Sequence, residues 1–352
     1  MKKTGQKREA LRLLHAHAPL RINDIGGWTD TWFAKEGNVL NLAVSPSVEV
    51  QVKVFANKKS KSKRVLVQAD NYGESFRVDP EAPSAARHPL LQFALSSLPI
   101  PKNLELEVNI HSPVPAGISA GTSASVCVAL LGAIDLLTDQ GHTPGEIASI
   151  AHRVETEKLK QQSGIQDQIC AAYGGACYIH MHNYPDYEVE KLRLSESIWQ
   201  ELDRRICLIY LGKPHHSSSI HEQVIAHLEA GGARPEQIRK MRDLAIKAKS
   251  FLLQGRLEDY GDAMAQNNEC QRELCPGLIS KAADAVIAIA RKFNALGWKV
   301  NGAGGQGGSM TVFASADDDL RRRMLRDIDS LGKGIKPLPI SLSSEGLTAW
   351  AV

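Results

Sequence analysis

The sequence predicts an α+β protein of about two domains. Three observations lead to this prediction: strand-like runs fill the first third of the chain, helical patterns dominate the second half, and short strand-like runs return near the end. They do not follow the regular strand–helix alternation of a parallel sheet. A chain of 352 residues usually divides into about two domains. We place the division between an N-terminal domain at 1–195 and a C-terminal domain at 196–352.

The first part of the chain consists mainly of strand-like segments, in which apolar and β-branched residues lie between turn-forming residues. The predicted strands are 18–22, 39–44, 48–55, 64–69 and 104–110. Before them, 8–14 is compatible with a short exposed helix. Between two of them, the basic run at 58–64 is most simply the solvated tip of a hairpin.

Helices follow, with recognisable start signals. A buried helix is predicted over 122–138, and a second over 144–161. Thr143, Pro144 and Glu146 give the second helix a capping box with proline in its first turn. Further helices are predicted at 165–173, 235–254, 278–296 and 317–331, and further strands at 176–180, 206–211, 298–301 and 309–314.

Composition excludes several function classes. Hydrophobic residues make up 43% of the chain, charged residues 23%, and the net charge is +3, as in a soluble globular protein. The basic run at 58–64 has no interleaved aromatic residues, so we expect no nucleic-acid binding. No 18-residue apolar run predicts a membrane span, and 1–17 lacks the apolar core of a signal peptide.

The six cysteines indicate the compartment. They form no CxxC pair and lie mostly within apolar segments, so buried free thiols and a cytoplasmic location are expected. Zinc binding is not expected from this spacing.

The segment 115–125 is the strongest candidate for an anion site. Small residues and hydroxyls lead directly into the predicted helix at 122–138, whose first N–H groups lack helical partners. Hydroxyls here could cap the helix or help hold a metal ion on a polyphosphate. An ordinary N-cap before a core helix is the alternative. The candidate ligand-binding residues are Pro115, Gly117, Ser119, Gly121, Thr122, Ser123 and Ser125.

A glycine-rich loop at 301–308 contains the spacing GxGxxG at Gly302, Gly304 and Gly307. The dinucleotide-binding interpretation requires a helix to begin at that loop. A strand-like segment at 309–313 follows instead, so we reject a Rossmann fold. Because glycine has no side chain, the backbone of this loop can still approach a ligand closely. A plain flexible turn is the alternative.

Three segments together resemble the motifs of the GHMP kinase superfamily, in the same order along the chain. They are Arg21-Ile22-x-x-x-Gly26-Gly27-x-Thr29-Asp30, the loop at 117–125 and the loop at 302–308. The first motif, together with 38–44 and 164–175, is most similar to fucokinases and D-glycero-D-manno-heptose 7-phosphate kinases. The resemblance covers most of the chain. It implies a two-domain fold, with an N-terminal domain like domain 2 of ribosomal protein S5 and a ferredoxin-like C-terminal domain.

By this resemblance, ATP is the phosphate donor and Mg²⁺ the metal ion. Thr122 and Ser123 match the hydroxyl pair of the phosphate loop, with Ser123 and Glu155 as the implied magnesium ligands. Asp167 matches the catalytic base, and Arg21 matches the basic residue that neutralises the transferring phosphoryl group. As alternatives, Glu155 could be an ordinary surface residue, and Asp167 could serve only to stabilise the first turn of its helix.

The resemblance also implies where the sugar binds. Gly27, Thr29 and Asp30 match the segment that binds sugar hydroxyls, although an aspartate after two glycines could serve only an Asx-turn. Gly304 and Gly305 belong to the loop expected to close over the substrate. Lys213, His215 and Ser217 could hold a second phosphate on the substrate, or could form a polar loop before a helix.

The resulting expectation is an ATP-dependent kinase that phosphorylates the anomeric hydroxyl of D-glycero-D-manno-heptose 7-phosphate. The alternatives are a fucokinase-like enzyme acting on a free sugar, and a sugar- and ATP-binding regulator with little turnover. The altered loop residues Ser119, Ala120 and Ala124 leave room for the regulator. A small-molecule partner is expected, with no nucleic acid or membrane, and a homodimer is one expected assembly.

Overall fold

The computed structural model describes residues 9–58, 61–69, 74–115, 117–138, 140–214, 217–229 and 235–352. The strands are β1 (Arg12–Ile25), β2 (Gly37–Ala56), β3 (Val65–Ala69), β4 (Glu74–Val78), β5 (Leu104–His111), β6 (Ala176–Asn183), β7 (Asp186–Lys191), β8 (Ile206–Leu211), β9 (Gly297–Val300), β10 (Ser309–Phe313), β11 (Ile335–Leu338), β12 (Ser341–Leu342) and β13 (Thr348–Ala351). The helices are α1 (Pro89–Leu95), α2 (Thr122–Asp135), α3 (Pro144–Arg153), α4 (Gln166–Tyr173), α5 (Glu196–Arg205), α6 (Ser217–Glu229), α7 (Pro235–Leu253), α8 (Leu257–Leu274), α9 (Lys281–Lys292) and α10 (Asp318–Asp329). A π-helical turn at Val154–Lys158 extends α3.

The larger sheet is built around the long strands β1 and β2. Its main order is β13-β1-β2-β5-β3-β4, with β6 and β12 also pairing with β2, and β7 with β6. The first half of β1 alternates between exposed and buried positions, whereas its second half is continuously buried. Because α2 and α4 pack against β1, and α7 and α8 also contact this sheet, both faces of its centre are covered. The candidate catalytic residue Arg21 lies in this covered half.

The smaller sheet has the order β11-β8-β10-β9, and all its described pairings are antiparallel. Helices α9 and α10 supply the apolar residues of its core, including Val286, Ala290, Met324 and Ile328. The loop between β9 and β10 is the glycine-rich segment, so the predicted strand–loop–strand arrangement is confirmed. This loop points back toward the larger sheet, where Gly302 N–H donates to Asp24 Oδ1 at 3.0 Å.

The end of the chain returns to the larger sheet. Strand β13 pairs antiparallel with β1, and β12 pairs with β2. The α+β class is confirmed by this mixture of sheets and helices. The division at 195/196 stays a prediction.

Two local predictions were wrong. The segment at 8–14 is not helical where it is described, because Leu13 and Leu14 pair with β2 in strand β1. The basic segment at 58–64 does not close a hairpin, since β5 lies between β2 and β3, and β3 runs parallel to β5. In both cases the pairing of strands distant in sequence determines the structure. Local composition does not indicate which strands pair.

Helix α8 was not predicted, although it is 18 residues long. Its inner face carries polar side chains that are fully buried: Asn267, Asn268 and Gln271. A helix with a polar buried face gives no apolar stripe for a sequence pattern to detect. Those amides hydrogen-bond backbone groups instead, as in the contact of Asn267 Oδ1 with Gly26 N–H at 2.8 Å.

The expectation of buried free cysteines agrees with the structure. All six cysteines are free and buried. Among the described residues, no helix combines the length and apolar character that crossing a membrane would require.

Candidate active site

A cleft of about 480 Å³ brings together half of the predicted site residues. Its walls come from the end of β1, the loop before α2, the π-helical turn, the start of α4 and the glycine-rich loop. The predicted residues that line it are Arg21, Asp30, Gly117, Ser119, Gly121, Thr122, Ser123, Glu155 and Asp167. Residues more than 140 positions apart in sequence therefore meet in one cavity.

The loop before α2 presents unpaired polar groups to the cleft. Gly121 is the N-cap of α2 in the left-handed conformation, with φ at 67°. A Cβ atom there would lie 3.1 Å from Arg21 Cγ and 3.3 Å from the Asp167 carboxylate, so glycine allows these groups to approach. The hydroxyls of Ser119 and Thr122 are buried without a hydrogen-bond partner. Together with the free N–H groups of the helix start, they fit a polyphosphate.

Two of the predicted loop residues do not face the cleft. The Ser125 hydroxyl is buried and donates to the Pro19 carbonyl at 2.6 Å, which ties α2 to β1. Pro115 is exposed at the start of the loop and is not part of the cleft lining. Ser125 therefore fixes the position of the helix that the other residues use.

Asp167 and Arg21 form a two-point ion pair at the centre of the cleft. Arg21 Nε donates to Asp167 Oδ1 at 2.6 Å, and Arg21 Nη2 donates to Oδ2 at 3.1 Å. Arg21 Nη1 donates to the Ser119 carbonyl at 2.8 Å, linking the pair to the loop. Burial alone would lower the pKa of Arg21, but the carboxylates of Asp167 and Asp24 raise it above its usual value. The Asp167 side chain is 26% exposed, so it remains accessible from the cleft.

Behind this pair lies a second, deeper one that the sequence did not reveal. Lys299 Nζ donates to Asp24 Oδ1 at 3.1 Å, and the same oxygen is 3.9 Å from Arg21 Nη1. The other Asp24 oxygen, Oδ2, is buried without a partner. A Cβ atom on Gly27 would lie 2.4 Å from that oxygen, so Gly27 supports the turn and does not line the cleft.

Glu155 and Ser123 lie together on one wall, as the predicted metal ligands require. Glu155 Oε2 accepts hydrogen bonds from Ser163 Oγ at 2.9 Å and from Gln168 Nε2 at 2.8 Å. The Ser123 hydroxyl also interacts with this carboxylate. Burial raises the pKa of Glu155 to about 7, against the effect of the hydrogen bonds from Ser163, Gln168 and Ser123. A hydroxyl beside a buried carboxylate is a donor set that fits Mg²⁺.

Asp30 lies at the other end of the cleft, held by the start of α4. Its Oδ2 accepts from the Gln166 N–H at 3.1 Å. Burial raises the pKa of Asp30 to about 6. The Thr29 hydroxyl, by contrast, is fully buried, lies 2.7 Å from the Gly26 carbonyl and accepts from the Asn38 N–H at 3.1 Å. Thr29 therefore stabilises the turn that presents Asp30 and lies outside the cleft lining.

The glycine-rich loop reaches the cleft through its first two residues, Gly302 and Ala303. Gly304 and Gly305 pack away from it: Gly305 N–H donates to the Leu278 carbonyl at 2.7 Å, and a Cβ on Gly304 would lie 2.5 Å from that oxygen. Lys213 is exposed, and its carbonyl accepts from Gly308 N–H at 2.8 Å. His215 lies outside the described residues. Ser217 begins α6, and only its backbone is described.

Sequence reasoning also missed two regions of the cleft. Close to Asp30 in the sequence, Trp28 packs edge-on against His221 with ring centroids 4.9 Å apart, and Trp28 Nε1 is buried without a partner. Elsewhere in the lining, apolar side chains form a pocket: Leu90, Leu91, Ile110, Val126 and Leu159. The apolar pocket had no sequence signal, because its residues come from four separate elements.

The arrangement can support phosphoryl transfer to an alcohol. An accessible carboxylate stands beside a helix start with unpaired donors, and a guanidinium lies between them. Positioning and charge stabilisation of this kind are what such a transfer requires from a protein.

Comparison with known families agrees with this chemistry. The model of the GHMP kinases N terminal domain matches residues 89–175, and that of the GHMP kinases C terminal domain matches residues 246–333. These ranges contain the loop before α2, Glu155 and Asp167, and the glycine-rich loop respectively.

Three curated relatives illustrate the range of the family. Mevalonate kinase from Pyrococcus horikoshii is 30% identical over 252 residues, covering 70% of this chain and 69% of the relative. The D-glycero-alpha-D-manno-heptose 7-phosphate kinase of Campylobacter jejuni is 23% identical, covering 71% and 72%. The bifunctional fucokinase/GDP-fucose pyrophosphorylase of Arabidopsis thaliana is 23% identical over 87% of this chain, which spans only 30% of that longer protein.

Among solved structures, a D-glycero-D-manno-heptose 1-phosphate kinase from Bacteroides thetaiotaomicron superposes with a TM-score of 0.73 at 18% identity. The match covers 96% of this chain and 98% of that one, so the two share their fold over nearly their whole length. With both family models matched and this fold in common, the chain belongs to the GHMP kinases, a family of ATP-dependent kinases.

Proposed function

We propose that the protein is an ATP-dependent sugar kinase that phosphorylates an anomeric hydroxyl. Its first candidate substrate is D-glycero-D-manno-heptose 7-phosphate, which would give the 1,7-bisphosphate. The observation that carries the proposal is the convergence of Asp167, Arg21 and the N-terminus of α2 around Gly121. Relatives and fold neighbours named as heptose-phosphate kinases support the choice of sugar.

In this proposal the ATP phosphates bind the loop at 117–123. The unpaired hydroxyls of Ser119 and Thr122 and the first N–H groups of α2 donate to phosphate oxygens. The apolar pocket around Leu90 and Val126 takes the nucleoside base, since a planar aromatic ring gains from burial against aliphatic side chains.

Ser123 and Glu155 would hold Mg²⁺ next to the phosphates. The bound ion would neutralise phosphate charge during transfer. Glu155 is positioned for this by Ser163 and Gln168, which both donate hydrogen bonds to its Oε2.

Asp167 accepts the proton of the acceptor hydroxyl or orients its oxygen toward the phosphate. The two hydrogen bonds from Arg21 fix the rotation of the carboxylate, and the positive charge of Arg21 favours the build-up of negative charge nearby. The sugar lies against Trp28, where Asp30 can accept hydrogen bonds from its hydroxyls.

A free sugar is the second candidate substrate, and one observation favours it. Among the described lining residues at the sugar end, Asp24, Asp30 and Asp167 are acidic, while Arg21 is already paired with Asp167 and Ser119. Carboxylates without free cations suit an uncharged polyol better than a phosphate group. Lys213, the lysine predicted to hold a second phosphate, is exposed and lies outside the lining.

A side-by-side measurement of ADP release decides between these candidates. The panel contains D-glycero-D-manno-heptose 7-phosphate, the free heptose, fucose and mevalonate, each with ATP and Mg²⁺. Highest kcat/KM with the heptose phosphate supports the first candidate, and highest kcat/KM with either free sugar supports the second. Turnover of mevalonate alone would refute a sugar kinase, and sugar and ATP binding without turnover would indicate the regulator.

A further inference from the structure

The hairpin of β6 and β7 carries three metal-ligating side chains outside the cleft. They are His180, His182 and Glu188, all exposed, and one ligand atom from each lies within 4.8 Å of the other two. None of them lines the proposed active site.

The register of the hairpin brings these side chains together. His180 pairs directly with Glu188 across the two strands, so their side chains lie on the same face. His182 is two residues along β6, and an irregularity in the pairing between Met181 and Asn183 falls at this position. The two imidazole rings have centroids only 4.1 Å apart. A bulge of this kind can re-aim a side chain, which here places His182 beside Glu188.

The separation between His182 and Glu188 fits two ligands of a tetrahedral ion of the zinc class. His182 Nε2 and Glu188 Oε1 are 3.3 Å apart. Nitrogen and oxygen ligands at about 2.0–2.1 Å from a tetrahedral ion are separated from one another by about 3.3 Å. Two imidazoles and one carboxylate suit Zn²⁺, Ni²⁺ or Cu²⁺, whereas Mg²⁺ prefers six oxygen ligands.

We propose that His180, His182 and Glu188 bind one divalent transition-metal ion, with water completing the coordination. The inference is independent of the proposed kinase reaction, because the site shares no residue with the cleft. The ion joins β6 to β7 and stabilises the folded hairpin. Binding weakens as the pH falls, since both imidazoles must be deprotonated to coordinate.

Calorimetric titration with Zn²⁺ tests the proposal, using protein without a polyhistidine tag, freed of metal by chelator and kept free of nucleotide. We expect about one equivalent to bind, and at least a tenfold loss of affinity in His182→Ala and in Glu188→Gln. The control His111→Ala removes an exposed histidine on β5 and retains the affinity of the unmodified protein. Ser123→Ala also retains it, which separates this site from the proposed magnesium site.

Thermal unfolding provides a second measurement. At free Zn²⁺ a hundredfold above the dissociation constant, the ratio of folded to unfolded protein rises about a hundredfold. The melting temperature therefore increases in the unmodified protein and in His111→Ala, and stays unchanged in His182→Ala. The proposal is overturned if the protein binds no zinc, or if His182→Ala and Glu188→Gln bind zinc as tightly as the unmodified protein.

Discussion

Lys299 and Asp24 form an ion pair across the two sheets, with Nζ and Oδ1 3.1 Å apart and both side chains only 1% exposed. Asp24 comes from the end of β1 and Lys299 from β9, 275 positions later. Burial on its own would raise the pKa of Asp24, but Lys299 and Arg21 lower it. The pair therefore connects the glycine-rich loop to the ion pair that holds Asp167.

Removing one partner is expected to destabilise the fold. Lys299→Met leaves the buried Asp24 carboxylate with the Gly302 N–H and the more distant cation of Arg21, at a cost of about 3–5 kcal/mol in the free energy of unfolding. Denaturant titration measures this value. The double variant Asp24→Asn/Lys299→Met recovers most of the loss, because no uncompensated charge remains. A loss below about 1 kcal/mol in the single variant would contradict this view of the pair.

Asp167→Asn is expected to lower kcat by a hundredfold or more, because an amide cannot accept the acceptor hydroxyl's proton. Nucleotide affinity changes little, since the loop at 117–123 is intact. Steady-state ADP release and ADP binding measure the two effects. Asp262→Asn, an exposed position on α8, is the matched control and keeps normal turnover. Near-normal turnover in Asp167→Asn removes Asp167 from the mechanism.

The raised pKa values of two buried carboxyls predict how stability depends on pH. Folding raises the pKa of Asp30 from 3.8 to about 6 and that of Glu155 from 4.5 to about 7, mainly by burial. A carboxyl with a raised pKa binds its proton more tightly in the folded state. Its stabilising contribution is therefore full below its unfolded pKa and is lost as the pH rises through the folded value.

Without nucleotide or metal, these two groups thus favour the folded state less at pH 8 than at pH 4. Glu155→Gln removes the ionising group, and is expected to raise the free energy of unfolding at pH 8 by about 1–3 kcal/mol. Denaturant titrations at both pH values measure the difference, which largely disappears at pH 4. A variant that is less stable than the unmodified protein at pH 8 would show that Glu155 is stabilised as a carboxylate.

The same residue predicts a pH-dependent requirement for Mg²⁺. Since a protonated carboxyl binds Mg²⁺ poorly, the Mg²⁺ concentration that gives half-maximal activity should fall as the pH rises through about 7. In Glu155→Gln this dependence is lost, and the Mg²⁺ requirement stays at every pH near the high value that the unmodified protein shows well below pH 7. Activity profiles at several Mg²⁺ concentrations check this, and an unchanged profile in the variant would exclude Glu155 as a ligand.

Local chemistry located one part of the site, the loop of small residues that ends at Gly121 before a helix. Asp167 and Glu155 were identified through the resemblance to the family motifs, and the structure brings all three residues into one cleft. Arg21 was identified through its motif, but its partner Asp24 was not, because only the approach of β9 explains a charge there. Gly304 and Gly305 illustrate the opposite case, since their packing on Leu278 depends on the unpredicted helix α8 and the segment after it.

The apolar pocket gives a prediction for the nucleotide alone. Leu90→Glu places a carboxylate where the proposal puts the base, and desolvating that charge against an apolar ring is strongly unfavourable. The KM for ATP should rise tenfold or more, while the KM for the sugar stays within a factor of two or so. Ile246→Glu, at an exposed position of α7, is the matched control. If Leu90→Glu raised the KM for the sugar and left the KM for ATP unchanged, the apolar pocket would have to be assigned to the sugar instead of the nucleoside base.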